Sequence, residues 1–435
     1  MIMRLRFITI LLFCCGASYA QEHTMTLQQS RQAALAYSNA IKNSRLRINS
    51  AEADLASARS AALPSVSGTG VGLFGLKDFI PALPPLLNSS INNLYLLGVT
   101  ATETLYAGGR VKTGQQLAQL QLEVNHILAS QSLDSVLLQT EQKYWSLVNL
   151  QEQQKTLDAN VKLLDNVLKQ QQDLLASGLI ARNDMLKVKV QRSQLLLNKS
   201  KLENGRRLAL LDFSMYTGIR YDSLMRMQDT LDRHSLPALP DLGPDTSLTS
   251  NSNFQLLNRN VEAQSLQTVL SRGEDLPALS VGLSASQAGV LGNGVGSTFM
   301  PAALATLSVP ISEAWWGKGK QKVRQRRINE NIAQNNLRDG RNQLKVGIMK
   351  SWYDITDGIK EISFARENLE QASENLKVHQ DNYKAGLTSI TELLNAQAAY
   401  QQASGDLVSA YANYHSKVAM YRFMTGKIKA EGDNP

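Results

Sequence analysis

No proline occurs between Pro85 and Pro237, and none between Pro310 and Pro435. Proline stops helices, because it lacks the amide donor and its ring clashes with the preceding turn. Two long stretches are therefore free to run on as helix. The other prolines and most of the glycine-rich text fall in short zones outside them. The first stretch carries Leu147, Gln154, Val161, Leu168 and Leu175 at seven-residue spacing, with Gln154 the one polar member. The second carries Ile355, Ile362, Leu369, Leu376 and Tyr383. A sustained heptad predicts coiled-coil packing, and its narrow seam leaves the opposite face in water. From Thr113 to Ala176 such a helix extends on the order of 100 Å, far too long for a compact domain.

The two ladders are one ladder written twice. LLASGLIARNDML (174–186) and NYKAGLTSITELL (382–394) lie 208 residues apart. Tyr144-Trp145 and Trp352-Tyr353, Gly178-Leu179 and Gly386-Leu387, and Thr217-Gly218 and Thr425-Gly426 keep the same offset. Upstream, Leu63-Pro64 answers Leu276-Pro277 at 213, so the connecting loops differ in length. The chain is a duplicated unit of helix, Pro, Gly-rich extended hairpin, long helix, Gly turn and long helix. Gly178 and Gly386 suit the left-handed residue that ends a helix. Asp184 and Thr391-Glu392 suit the first turn of the next one.

Each half also holds two strand-like segments, at 66–76 and 94–106, then at 279–287 and 302–311. Leu279, Val281 and Leu283 alternate with Ser280, Gly282 and Ser284. Period two with one apolar and one small polar face is a strand signal, and the lengths match tilted membrane strands. A soluble hairpin packed on the helices is the competing reading. Four strands cannot cross a membrane alone, since unpaired edge groups in hydrocarbon each cost several kcal/mol. A barrel must then be shared between copies. Two would give eight strands and three would give twelve.

Residues 1–20 read as a secretory signal. Arg4 and Arg6 precede an apolar run to Cys15, then small residues, with cleavage expected after Ala20. The run is too short to span a bilayer. Lipidation at Cys14 or Cys15 is disfavoured, since neither follows a small residue. Both cysteines leave with the signal, so the mature chain has no disulfide or thiolate metal site. Net charge falls from +8 to +6 on losing the two arginines, which is no nucleic-acid footprint. The five histidines (23, 126, 234, 379, 415) form no metal-ligand spacing, and His379 reads as a packed or lumen residue. No nucleophile elbow, P-loop or Ser-His-Asp context appears. Neither an enzyme nor a cofactor reading has residues behind it.

AEADLASARSAALPSVS (51–67), TETLYAGGR (102–110), LSVPISEAWWGKG (307–319) and the two Gly turns, in this order and duplicated, resemble the TolC-type outer-membrane efflux family over nearly all the mature sequence. One departure is Asn39-Ala40, where the family commonly has Asn-Pro. The resemblance implies a mainly α chain with a membrane β-barrel. Three copies would form a twelve-stranded barrel and a twelve-helix periplasmic tunnel. It implies a passive exit duct at the outer membrane, docked to a periplasmic adaptor and an inner-membrane transporter. The expected divisions are 1–20 signal, 21–63 first helix, 64–106 β-hairpin, 107–218 helical hairpin with its tip near 178–184, and 219–252 linker. The second half follows as 253–275 helix, 276–312 β-hairpin, 313–427 helical hairpin with its tip near 386–392, and 428–435 tail. The linker text LPALPDLGPDTS (236–247) and the tail match family material that girdles the tunnel midway.

The resemblance also assigns sites. Gly178, Leu179, Asp184, Gly386 and Leu387 would form the adaptor-docking tips. Glu392 and Asn395 match two acidic positions that ring the periplasmic aperture, of which only Glu392 keeps the charge. Three copies of Glu392 would favour cations; the plainer reading is a helix-start charge. Lys318, Lys320, Lys322, Arg324, Arg326 and Arg327 crowd a helix start with no acid among them. Basic charge there opposes the macrodipole, so something must offset it. The choice is a collar facing lipid phosphates of the outer membrane's inner leaflet or a solvated collar. Tyr144, Trp145, Trp352 and Tyr353 are expected to pack between helices. A periplasmic adaptor, or a structural coiled-coil envelope protein without a pore, is the alternative function. One helical hairpin flanked by compact β domains would mark an adaptor, and this chain has two hairpins and four membrane-length strands.

Overall fold

The computed structural model describes residues 24–77, 93–231, 236–237, 243–290, 296–311 and 315–428. The signal, most of the loop at 77–93, part of the loop at 288–301, part of the linker, His23, His234 and the tail beyond residue 428 lie outside the described residues. The chain forms two compact units: Lys42–Gln131 with Asn251–Gln343, and Met1–Ile41 with Ser132–Ser250 and Leu344–Pro435.

The first of these units carries the sheet. Strands β2 (Ser65–Phe74), β3 (Asn93–Ala107), β5 (Ala278–Gly289) and β6 (Thr298–Ser308) form one antiparallel sheet in the order β2-β3-β5-β6. Its register sorts the side chains. Val66 faces Ala101 and Leu283 across the sheet, Val99 faces Ala285, and Leu279 faces Leu307, all on one face. The other face places Ser65 beside Thr102, and Ser280 and Ser284 beside Thr306 and Ala302. The apolar face has nothing over it in the single chain: Val66, Leu283, Phe299 and Leu307 are 65–69% exposed. Every residue of β2 and β6, the two edge strands, is exposed. A register shift between Thr104 and Tyr106 marks a bulge near the helical end of β3, a device common at barrel rims. Sequence placed the fourth strand at 302–311. It runs from Thr298 through Pro301, which an edge strand tolerates, because pairing with β5 begins at Thr298 opposite Ala288.

Helix α2 (Asn39–Ser60) leads into β2, and α5 (Ser252–Glu274) into β5. Helices α3 (Arg110–Ala176) and α6 (Lys318–Lys384) follow β3 and β6, and each has 67 residues. Their starts match too, since Gly109 and Gly317 both take positive φ (79° and 71°) and lie 208 apart.

The second unit is a helical bundle of the distal parts of α3 and α6 with α4 (Arg182–Thr217) and α7 (Ile390–Met424). One core joins all four through Leu164, Val167, Val188, Leu195, Leu376, Ile390, Leu393 and Ala396. In α6 the heptad carries the buried seam: Ile348, Ile355 and Ile362 are fully buried and Leu376 nearly so, with Leu369 and Tyr383 half-buried. In α3 it does not. Gln154, Val161, Leu168 and Leu175 are half-buried, while Val148, Glu152, Thr156, Asn160, Leu164, Val167 and Gln171 point inward. Tyr353 also departs from expectation: it is exposed, whereas Tyr144, Trp145 and Trp352 pack. His415 stacks on Trp145 at 3.8 Å, and burial pushes its pKa down to about 4, leaving it neutral at pH 7.

The helix expected over 21–63 is two helices, α1 (Leu27–Tyr37) and α2, broken at Ser38. The break needs no proline. It lays the Tyr37 ring on the bare Cα of Gly218, where an added Cβ would meet the ring at 2.3 Å. Ahead of α1, β1 (Thr24–Met25) pairs parallel with β4 (Arg226–Met227) of the linker. Gln151 extends this ladder by accepting the Met227 amide at 3.0 Å and donating to its carbonyl at 3.3 Å. The Tyr144 hydroxyl donates to the Asp229 carboxylate and accepts the Asp229 amide at 3.4 Å. Burial and that carboxylate drive the phenol pKa far up. Beside this clasp Arg31 and Glu141 form an ion pair with side chains 5% and 4% exposed.

Candidate functional site

The helical turns are built alike. Leu179 donates to the Leu174 carbonyl at 2.9 Å and Gly178 to Leu175 at 3.0 Å; Leu387 donates to Asn382 at 2.8 Å and Gly386 to Tyr383 at 3.1 Å. These are paired Schellman closures, with φ of 71° at Gly178 and 74° at Gly386. Leu179 and Leu387 stand 72% and 77% exposed at the apices. The two turns are neighbours, because Lys187 Nζ reaches both Asp184 Oδ1 and Thr391 Oγ1 at 3.2 Å. Just behind them the Gln171 amide donates to the Tyr383 hydroxyl at 2.6 Å. His379 is half-buried, and its Nδ1 has no partner among the described residues.

The turns differ at the helix that follows. Ser389 caps α7 in a full capping box: its hydroxyl accepts the Glu392 amide at 3.3 Å, and Glu392 Oε2 accepts the Ser389 amide at 3.0 Å. The Thr388 hydroxyl donates to the same carboxylate oxygen. The Thr388 hydroxyl, then the Ser389 amide, hold the Glu392 pKa below its ordinary value. Glu392 is thus a capping residue and an exposed anion at once, so its two expected roles do not compete. Asn395 lies one turn on and is exposed. In α4 the N-cap is Ala181, with no side-chain bond, and Asp184 is the only first-turn acid.

The basic passage divides into two faces. At 3.6 residues per turn, Lys318, Lys322 and Arg326 share an arc of about 80°, and Lys320, Arg324 and Arg327 share the opposite one, about 60° wide. Lys322 pairs with Glu274, and Arg326 donates to Gln267 Oε1 at 3.0 Å, both on α5. The Asp275 carboxylate lies against Gly319, leaving no room there for a Cβ. Asp275 and Glu274 are the offset that the helix start required. Six equivalent collar residues were expected, and two of them are committed to α5. The signal for this was present: two acids at the end of α5, against its own dipole, point to a basic partner. Lys320, Arg324 and Arg327 are exposed and have no ion-pair partner among the described residues.

Two exposed apolar stripes were not anticipated. On α4, Leu186, Val190, Leu197, Leu208, Leu211 and Met215 are 40–71% exposed and fall within an arc of about 60°. On α6, Val346, Tyr353, Phe364 and Val378 are 46–69% exposed and fall within about 40°. Of the α6 spacings of 7, 11 and 14 residues, only the step of 11 leaves the heptad.

Among the described residues no group of three or more His, Cys, Asp or Glu could hold a metal ion, and no helix is long and apolar enough to cross a membrane. Residues 243–427 match the family model described as outer membrane efflux protein. A search of curated proteins found no match. Among solved structures, the fold is similar to the outer-membrane channel OprN, with a TM-score of 0.79 at 15% identity over 92% of this chain and 89% of that one. It is similar to the CmeC outer membrane channel of Campylobacter jejuni, with a TM-score of 0.78 at 15% identity over 95% and 91%. The outer membrane protein VceC of Vibrio cholerae gives 0.77 at 13% identity over 92% and 96%.

Proposed function

Because this chain carries the outer membrane efflux protein domain over residues 243–427 and has the fold of the outer-membrane channels, as its resemblance to the TolC-type family implied, we propose that it is the passive exit duct of a tripartite efflux or secretion system. It sits in the outer membrane, and its helices extend into the periplasm. Three copies close a twelve-stranded barrel and a twelve-helix tunnel. The tips at Gly178–Leu179 and Gly386–Leu387 dock a periplasmic adaptor and, through it, an inner-membrane transporter. The same chain contributes Glu392 and Asn395 to the periplasmic aperture.

One observation carries the reading: the four-stranded sheet of membrane-length strands has an uncovered apolar face and two open edges. In hydrocarbon those edges must pair, and only further copies offer matching strands. The stripes on α4 and α6 suit the same assembly, since a second copy would cover them.

Planar-bilayer recording tests the duct. The purified protein should conduct, and the Glu392→Gln variant should conduct with reduced preference for cations. Gln keeps the capping box, which accepts either residue, so the substitution removes charge without removing the cap. Phe364→Glu should lower the oligomer mass in detergent while leaving helix content unchanged. A detergent-free soluble monomer, or an inserted protein that passes no current, would overturn the reading in favour of a poreless envelope protein.

A further inference from the structure

We infer that the outward face of the α6 start is a binding site for an anionic phospholipid headgroup of the membrane's periplasmic leaflet. The site is built from Lys320, Arg324 and Arg327 with the Trp315–Trp316 pair beside them. The inference rests on the reading that the sheet lies in a bilayer, and it goes further by naming a ligand and the residues that hold it.

Position comes first. The strand β6 ends at Ser308, and α6 begins at Lys318. Trp315 and Trp316 lie just before that start and are 78% and 80% exposed. Tryptophan favours the boundary between hydrocarbon and headgroups, where its ring is apolar and its N–H finds polar partners. Gly317, at φ 71°, then turns the chain into the helix. The basic residues follow within three turns, at the depth where phosphates would lie and where long stems let the charge reach them.

The pairing pattern separates ligand-facing residues from structural ones. Lys322 and Arg326 are tied to α5 through Glu274 and Gln267. Asp275 already offsets the helix start, through its contact at Gly319. Acids at the end of α5 thus offset the helix start, and three more cations on the other face have no such role. Lys320, Arg324 and Arg327 follow i, i+4, i+7 spacing and have no ion-pair partner among the described residues. Like charges so placed repel one another, and an anion would relieve that repulsion.

The duplicated half supplies an internal control. At the 208 offset, Lys318, Lys320, Lys322, Arg324, Arg326 and Arg327 correspond to Arg110, Lys112, Gly114, Gln116, Ala118 and Gln119. The α3 start keeps the glycine turn and loses four of the six charges. Arg110 there donates Nε to the Ala107 carbonyl at 3.0 Å, a strand-end contact. The same backbone passage is therefore built without the cluster, which is specific to the second half.

The test uses the full chain, purified in neutral detergent and titrated with fluorescent phosphatidylglycerol or phosphatidylcholine. Wild type should prefer phosphatidylglycerol on the order of 100-fold at low salt, with the preference shrinking as salt rises. The variant K320Q/R324Q/R327Q should bring the two lipids within about threefold, while keeping the wild-type oligomer mass. W315A/W316A should weaken both lipids alike. Inorganic phosphate at millimolar concentration should compete poorly, which separates a lipid headgroup from a free phosphate ion. A triple variant that keeps the wild-type preference overturns the proposal. So does one whose oligomer dissociates, since the face would then be a subunit contact, and so does full displacement by inorganic phosphate. Conductance in neutral bilayers reads the duct separately: a conducting triple variant leaves the duct intact whatever the lipid result.

Discussion

Helices α3 and α6 have the same length, the same glycine turns at both ends and the same offset along their whole course, yet they bury different chemistry. The α6 seam is Ile348, Ile355, Ile362 and Leu376. At the matching positions α3 has Thr140, Leu147, Gln154 and Leu168, and it turns Glu141, Glu152, Thr156, Asn160 and Gln171 inward. The difference follows what each helix packs against. A helix partner satisfies its own backbone bonds, so α6 can present aliphatic side chains to α7. The mid-part of α3 meets β1, β4 and α1, where strand ends and short turns leave amides and carbonyls that need partners. Gln151, Tyr144 and Glu141 supply them or their neighbours. The linker thus accounts for the polar contacts around Tyr144 and Gln151, while further along α3 Thr156 and Gln171 meet polar groups of other helices, Ser404 and Tyr383.

The sharpest way to break this contrast is at Arg31. Its pair with Glu141 is buried, and Arg31 also donates to the Ile428 carbonyl at 3.3 Å. The second half cannot repeat the pair, since the position of Glu141 is taken there by Met349, which carries no charge. Arg31→Met leaves a buried carboxylate without its cation and should cost about 3–5 kcal/mol, read as loss of the thermal transition by circular dichroism. Arg31→Met with Glu141→Leu should recover most of that loss. A single variant as stable as wild type would mean that water reaches Glu141, and that the polar seam is dispensable.

The next largest effect separates the seams themselves. Ile362 is fully buried, and its counterpart Gln154 is half-buried. Ile362→Ala should cost about 2–5 kcal/mol, and Gln154→Ala less than about 1 kcal/mol, in the same denaturation assay. Equal costs would restore the symmetric heptad that the sequence suggests. The comparison also marks the limit of legibility. The ladder from Ile355 to Tyr383 could be read because every member is apolar. The ladder from Leu147 to Leu175 looks equivalent but for one polar exception. That exception, Gln154, sits on the flank of a seam displaced onto Thr156 and Asn160. Polar residues that face inward give no hydrophobic period. The break at Ser38 is only faintly written: Ser38-Asn39 suits a helix start and adjoins the Asn39-Ala40 departure, while the contact it serves, Tyr37 on Gly218, is distant in sequence. By contrast, the Gly109–Gly317 match and the acids at the end of α5 are local signals, legible from the duplication and the helix dipole.

Glycine turns should give smaller losses, unequal between the two ends of the hairpins. Gly178 and Gly386 have positive φ and open space around an added Cβ, so Gly178→Ala and Gly386→Ala should each cost about 1–2 kcal/mol. Gly218 and Gly426 share the conformation, but their Cβ atoms would meet the Tyr37 ring and the Ser250 carbonyl oxygen at 2.3 Å. Gly218→Ala and Gly426→Ala should lower the melting temperature further than the tip variants do. If the four losses are equal, the contacts with Tyr37 and Ser250 yield freely, and those ends are not anchored.

The smallest effect is the most direct probe of asymmetry at the tips. Ser389 satisfies one orphan amide of α7 and Glu392 returns the bond, whereas α4 starts from Ala181 with nothing in that place. Ser389→Ala should cost about 1 kcal/mol, and Ala181→Ser should gain up to a similar amount, because Ser prefers the N-cap and Asp184 already stands at its third helical position. Both residues are exposed, so neither change disturbs packing. Hydrogen exchange at the first-turn amides of each helix reads the two effects separately: protection should fall at the start of α7 in the first variant and rise at the start of α4 in the second. The asymmetry then has a functional reading. On the proposed docking role, the capped start of α7 would fix where the Glu392 carboxylate stands, and the uncapped start of α4 would leave the first tip free to adapt to a docking partner. If Ala181→Ser stiffens α4 and reduces adaptor binding with conductance unchanged, the missing cap is part of how the tip works. If it stiffens α4 and binding is untouched, the two tips differ in stability alone.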